Sequence, residues 1–403
     1  MSQLAALTTG SARRTLSGSM GRKGLVGRAV AFGFGAVCLS ASLSSFGVHA
    51  AAADPTDHPP LHFSSLASVD EVSPQDVWAV GAFVKDPFGV QEPLIVHYDG
   101  AAWKFVPSPI NNGGLYDVSV IDTSDVWAVG WFVPEVGGAA EDLILHWDGT
   151  SWSQVPAPAP GATSDVRRVS SVSADDVWAT GEGLDDQGVG RSFIMHWAGA
   201  SWKIEHVVAS GFSLGDIDAS SSTDAWAVGG SVTDVLMLHW DGISWHRVPA
   251  PDPGDPPDLS SVADISSSDA WVAGTVVRNP FGTTPVLFHW DGVAWTYTEP
   301  DRVSNFGTLA AGSPNDVWAT GFRNDPLVMH WNGSKWSTVH FQAPGHVWTG
   351  MVSDGPDSVW VVGHEGRGGS QLTTKHITIG GSSVLQLGVP RLRSALGPRA
   401  LQR

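Results

Sequence analysis

Between residues 113 and 161, apolar and polar positions follow a fixed order. LYDVSVI (115–121) is apolar at alternate positions, the period of a half-buried strand. TSD (123–125) is a turn. VWAVGWF (126–132) is rich in β-formers and predicts a second strand. A Gly-, Pro- and acid-rich loop follows. DLILHW (142–147) is a third strand, apolar on both faces, as in a sheet covered on both sides. The pair DG (148–149) predicts a tight hairpin with both central residues at positive φ. SWSQV (151–155) is a fourth strand, and PAPAPG (156–161) ends it, because proline cannot continue a ladder.

This order recurs along the chain. The second-strand phrase appears as DVWAVG (76–81), DVWAVG (125–130), DVWATG (176–181), DAWAVG (224–229), DAWVAG (269–274), DVWATG (316–321) and SVWVVG (358–363). Its Trp residues stand at 78, 127, 178, 226, 271, 318 and 360, a spacing of 42 to 51. The third-strand His residues are 97, 146, 196, 239, 289, 330 and 376. In the first six units a Trp follows six positions later, at 103, 152, 202, 245, 295 and 336. A period in the forties is that of propeller blades. Seven four-stranded units predict an all-β, seven-bladed β-propeller with four antiparallel strands per blade and the SW segments outermost. In the seventh unit Ser382 stands where the hairpin Trp is expected, and SSVLQLG (382–388) is the expected fourth strand. Trp131 and Trp348 are the two indoles that the repeat does not explain.

HYDGAAWKFVPSP (97–109) and HWDGTSWSQVPAPAP (146–160) resemble the Tyr/Trp-Asp…Trp end of kelch-type repeats and the Asp-Gly…Trp hairpin of Asp-box repeats. The unit resembles those of secreted bacterial propellers described as kelch-like or galactose-oxidase-like, over residues 61–388. It departs from both patterns. VG, TG or AG replaces the Gly-Gly pair of kelch, the hairpin is shorter, and the Ser/Thr opening of an Asp box is missing. The resemblance implies a fold; one fold hosts many activities.

The first fifty residues differ from the rest. Five bases (Arg13, Arg14, Arg22, Lys23, Arg28) and no acid precede the uncharged run AVAFGFGAVCLSASLSSFGV, which leads to VHA. This predicts a signal peptide over 1–50, cleaved near Ala50, and a secreted, extracellular protein; an uncleaved anchor is the alternative. Residues 51–60 read as a linker. Residues 389–403, in the stretch GVPRLRSALGPRALQR (388–403), carry four Arg and no acid and read as a disordered basic tail. The one cysteine, Cys38, lies within the signal, so the mature chain is stabilised by burial alone. Removing the leading bases takes the net charge from −18 to −23. Such a body repels nucleic acid and anionic membrane, so neither is an expected partner. No stable membrane insertion is expected after cleavage, and a monomer is.

A catalytic site needs its residues once, so the repeated Asp and His are read as architecture. Copies spread around a ring do not converge on one metal. A same-blade Asp–His or His–backbone hydrogen bond satisfies them more simply. The DG carboxylates (Asp99, Asp148, Asp241, Asp291) read as turn residues, and neither a cofactor nor a metal is expected. No nucleophile elbow, phosphate loop or HExxH occurs, Arg is scarce, and no spacing singles out a carboxylate pair. A non-catalytic binding or scaffold protein for a protein or carbohydrate partner is favoured. A multivalent lectin using the hairpin Trp residues, or a carboxylate-dependent glycan-active enzyme, remains open. The variable second-to-third-strand loops carry the candidate ligand contacts. Trp131, Phe322, Phe88 and Phe281 are candidate aromatic anchors. Glu182, His364, Arg191, Arg278 and Arg323 are candidate polar contacts.

Overall fold

A computed structural model describes residues 63–379, apart from 85–88, 136, 159–160, 162, 279–281, 301–302, 324, 340–344 and 366–370. The chain forms seven antiparallel sheets in sequence order, a seven-bladed β-propeller. Blades 1 to 6 hold four strands each. Blade 2 is typical: Gly113–Asp122 innermost, then Asp125–Phe132, Glu141–Trp147 and, at the rim, Trp152–Gln154. Three strands of blade 7 fall within the described residues (His346–Gly355, Ser358–Glu365, Gln371–Thr378). The strand expected at 382–388, the signal, the linker and the basic tail lie outside them.

Why the repeat contains those letters is visible in the packing. The second-strand Trp is fully buried in most blades and meets two indoles of the next blade. Trp78 lies 5.1 Å from Trp147 and 5.5 Å, edge-on, from Trp152. Trp127, Trp178, Trp226 and Trp271 repeat this arrangement. Each aromatic pair adds about 0.5–1.5 kcal/mol beyond its area term. The expected Asp–His bond is present. His Nε2 stands 2.6–3.0 Å from the leading Asp of the same blade in blades 1 to 6. The imidazole also stacks on that blade's Trp, at 4.2 Å for Trp78 and His97. In blade 7 Ser358 replaces the leading Asp, and Asp354 supplies the carboxylate to His376. Trp348 belongs to the buried cluster between blades 6 and 7.

The repeat Gly is dictated by a bulge in the inner strand. At Gly130 a Cβ would sit 2.0 Å from the Gly114 carbonyl oxygen, and at Gly81 2.0 Å from that of Ser65. The ladder shifts register at these points, between Leu115 and Asp117 and between Leu66 and Ser68.

The hairpin differs from the expected two-residue turn. Trp147 pairs with Trp152, so the loop has four residues, and only its Gly has positive φ (Gly149, 90°). The Asp holds the loop instead, as Asp148 Oδ1 accepts the N–H groups of Thr150 and Ser151. Asp99, Asp241, Asp291 and Asn332 do the same. These bonds hold Asp148 down at about 2, the Thr150 hydroxyl contributing most.

Adjacent inner strands are stitched by polar side chains. Ser68 Oγ donates to Asp117 Oδ1 (2.6 Å), Val120 N–H to Asp70 Oδ2 (2.8 Å), and Val169 N–H to Asp117 Oδ2 (3.0 Å). Asp264 N–H donates to Asp218 Oδ2 (2.9 Å) and Leu309 N–H to Ser261 Oγ (3.0 Å). Buried donors on the inner edge are thus satisfied by the neighbouring blade. Thr349 Oγ1 donates to Leu66 O (2.5 Å), joining blade 7 to blade 1.

Candidate functional site

Second-to-third-strand loops and blade connectors share one face. On it, over blades 3 to 5, lies an open groove of about 1160 Å³. Its floor comes from the inner strand of blade 3, Thr163–Ser173, the one inner strand that carries arginine. Arg167 reaches Asp165 Oδ1 (3.0 Å) and Glu182 Oε2 (2.9 Å). Tyr116 of blade 2 stands beside this group, and burial, then the Asp165 charge, push its hydroxyl up to about 12. Asp185 folds the blade 3 loop. Its carboxylate accepts the N–H groups of Gln187 and Val189 and pairs with Arg191 (3.0 Å). The Val189 bond is the largest of the effects that lower its pKa. Phe212, Val232, Asp255, Asp258 and Val277 supply the walls from blades 4 and 5. Thr163 and Ser164 also line a smaller hollow of about 500 Å³ toward blade 2. There burial pushes Asp142 up to about 6.

Of the nine residues singled out from sequence, the groove gathers Glu182 and Arg191. Trp131 is half-buried in blade 2, with Gly114 opposite and its indole 3.3 Å from the place of a Gly114 Cβ. Phe322 is 45% exposed, but on blade 6. His364 is half-buried on blade 7, and burial lowers its pKa. Arg278 ties blade 5 together, through Glu299 (2.5 Å), Thr284 Oγ1 (3.2 Å) and Pro253 O (3.1 Å). Arg323 ends a strand of blade 6. Phe88 and Phe281 lie outside the described residues. Arg167, Asp165, Phe212, Val232, Asp255 and Asp258 were not among the sequence candidates. The pair of Arg in SDVRRV (164–169), alone among the inner strands, was the available signal.

The hairpin indoles face inward. Trp103, Trp152, Trp202 and Trp295 are buried against the preceding blade, which removes them as exposed platforms for sugar rings. Among the described residues no cluster of His, Cys, Asp and Glu is arranged to hold a metal ion.

No family model matches the chain, and no curated protein matches it. Solved structures do. YCF48 bound to D1 peptide is 17% identical with a TM-score of 0.51, covering 77% of this chain and 96% of that one. Puromycin hydrolase is 10% identical with a TM-score of 0.57, and the GH74 xyloglucanase from Xanthomonas campestris 13% with 0.52. They match 81% and 79% of this chain, which covers 54% of each of theirs. At these identities the likeness is one of fold. A peptide binder and two enzymes share the scaffold, so this chain's own surface carries the functional argument. By that likeness and its own sheets, the chain is a seven-bladed β-propeller.

Proposed function

We propose that this is a secreted, non-catalytic binding propeller, built from a kelch-like and Asp-box-like bacterial repeat, whose variable-loop face receives a protein or glycan partner. The groove over blades 3 to 5 is the observation that carries this reading. It is the place on that face where loops differing in length and chemistry converge, and it combines aliphatic walls with fixed ionic groups. The repeated residues are consumed by packing and turn formation, which leaves recognition to the loops.

The test uses the exported protein, with its mature N-terminus expected within a few residues of Ala51. It is offered a glycan array and the extracellular fraction of its source. Arg191→Ala is expected to weaken a captured partner by about tenfold or more, the scale of a polar hot spot. Ile243→Ala, on an exposed hairpin of the opposite face, is expected to leave binding unchanged. Loss with Ile243→Ala and none with Arg191→Ala would place the partner on the wrong face for this proposal.

A further inference from the structure

The groove has a chemical bias that the proposed function does not use. Its two arginines are already neutralised, Arg167 by Asp165 and Glu182 and Arg191 by Asp185. Asp255, on the connector into blade 5, and Asp258, at the start of that blade's inner strand, pair with no base among the described residues. Around these carboxylates stand aliphatic side chains that water reaches. Val232 is 96% exposed, and Leu184, Val189 and Val277 are exposed as well. Apolar groups gathered round unpaired charge on one groove mark a recognition surface. The complement is an extended segment that alternates cations with aliphatic side chains.

The chain itself contains such a segment. GVPRLRSALGPRALQR (388–403) carries Arg391, Arg393, Arg399 and Arg403, no acid, and Val389, Leu392, Leu396 and Leu401 between them. It is the one long stretch after the leading basic region that opposes the acidic body. Reach does not forbid the contact. Counted from Gly388, the end of the strand expected in blade 7, the fifteen residues to Arg403 span about 50 Å of extended chain at ~3.3 Å per residue. Blades four strands deep, at ~4.8 Å per strand, make a ring on the order of 40 Å across.

From this charge and shape complementarity we infer that residues 388–403 occupy the loop-face groove of their own chain. Their arginines meet Asp255 and Asp258, and their aliphatic side chains lie on Val232 and Val277. This rests on the groove being the binding site. Its consequence is that a partner must displace the segment, or present a better cationic-aliphatic peptide.

The experiment compares full-length wild type with a full-length variant carrying Arg391→Ser, Arg393→Ser, Arg399→Ser and Arg403→Ser. Each is titrated with a labelled synthetic peptide of residues 388–403, read by fluorescence anisotropy. The variant, its groove vacated, is expected to bind at least about tenfold more tightly than wild type. Adding Asp255→Asn and Asp258→Asn to the variant is expected to weaken peptide binding by about tenfold. A peptide with its Val and Leu changed to Ser should bind more weakly still. Equal binding by wild type and variant overturns occupancy in cis. Binding that falls with salt but ignores Asp255 and Asp258 overturns the groove as the site, leaving only general attraction to an acidic surface. Wild-type self-association that the four serines abolish overturns the contact in cis and assigns the segment to a second copy. Absence of peptide binding, while Arg191→Ala still releases an extracellular partner, overturns this occupant and leaves the loop-face reading standing.

Discussion

Trp360→Ala is expected to cost about 3–5 kcal/mol, the range for emptying a buried tryptophan site, and to open the ring at one seam. Trp360 is 1% exposed. It stacks on His376 of its own blade (4.7 Å) and meets Tyr98 (5.4 Å) and, edge-on, Trp103 (5.9 Å) of blade 1. Every other pair of neighbouring blades is also joined by a chain connection. Among the described residues blades 7 and 1 are joined by contacts alone, and Leu66, Val69, Val352 and Val362 belong to that cluster. Trp127→Ala makes a similar cavity between blades 2 and 3, where the connector holds the blades together. The two variants should therefore lose similar midpoint stability in urea. Hydrogen exchange should separate them, with Trp360→Ala selectively deprotecting blades 7 and 1. A loss below about 1 kcal/mol, or exchange spread evenly over all blades, contradicts a seam closed by this ring cluster.

The repeat made the blades legible because the same physical demand recurs seven times. Each blade needs a Trp toward the next, a His–Asp pair inside itself and a Gly opposite its own bulge, and these positions cannot vary independently. The inner-strand stitching was not legible. It uses Asp117, Asp216 and Ser261 at equivalent positions, because either side chain can accept a neighbour's N–H. No single letter recurs for a pattern search to find. The hairpin was half legible. DG marks the turn, but a carboxylate accepting two N–H groups stabilises a four-residue loop as readily as a two-residue one.

The site was the least legible part. Glu182 and Arg191 were visible as odd residues in a variable loop. Their companions come from inner strands, loops and connectors of blades 3 to 5, so their convergence depends on how far neighbouring blades splay. Arg278 shows the opposite failure. It stands at the strand end beside the variable loop, but Glu299 on its own blade captures it. Chemistry at a loop position does not say which way the side chain turns.

Stability is expected to fall as pH rises from about 5 to 9, because the core stores protonated carboxyls. Glu71, 7% exposed on the inner strand of blade 1, is pushed up to about 9. Burial is the main cause, followed by the charges of Asp354 across the seam and of Asp70. Burial likewise raises Asp216 and Asp264 well above the usual carboxylate range. A group whose folded pKa exceeds its unfolded value stabilises fully below the unfolded value, near 4.5 for Glu71, and loses that contribution as pH climbs to the folded one. Each such proton costs about 1.36 kcal/mol per pH unit across that window, an upper bound of about 6 kcal/mol for Glu71 alone. The exposed turn carboxylates, such as Asp148, run the other way, but their window lies below pH 4. Glu71→Gln keeps the shape, cannot ionise and can donate its amide N–H toward Asp354. Its urea stability should match wild type near pH 4.5 and exceed it increasingly toward pH 9, with the slope reduced by one proton. Parallel slopes for the two proteins would mean that Glu71 keeps an ordinary carboxylate in the folded ring, and that the blade 7–blade 1 seam tolerates two adjacent negative charges.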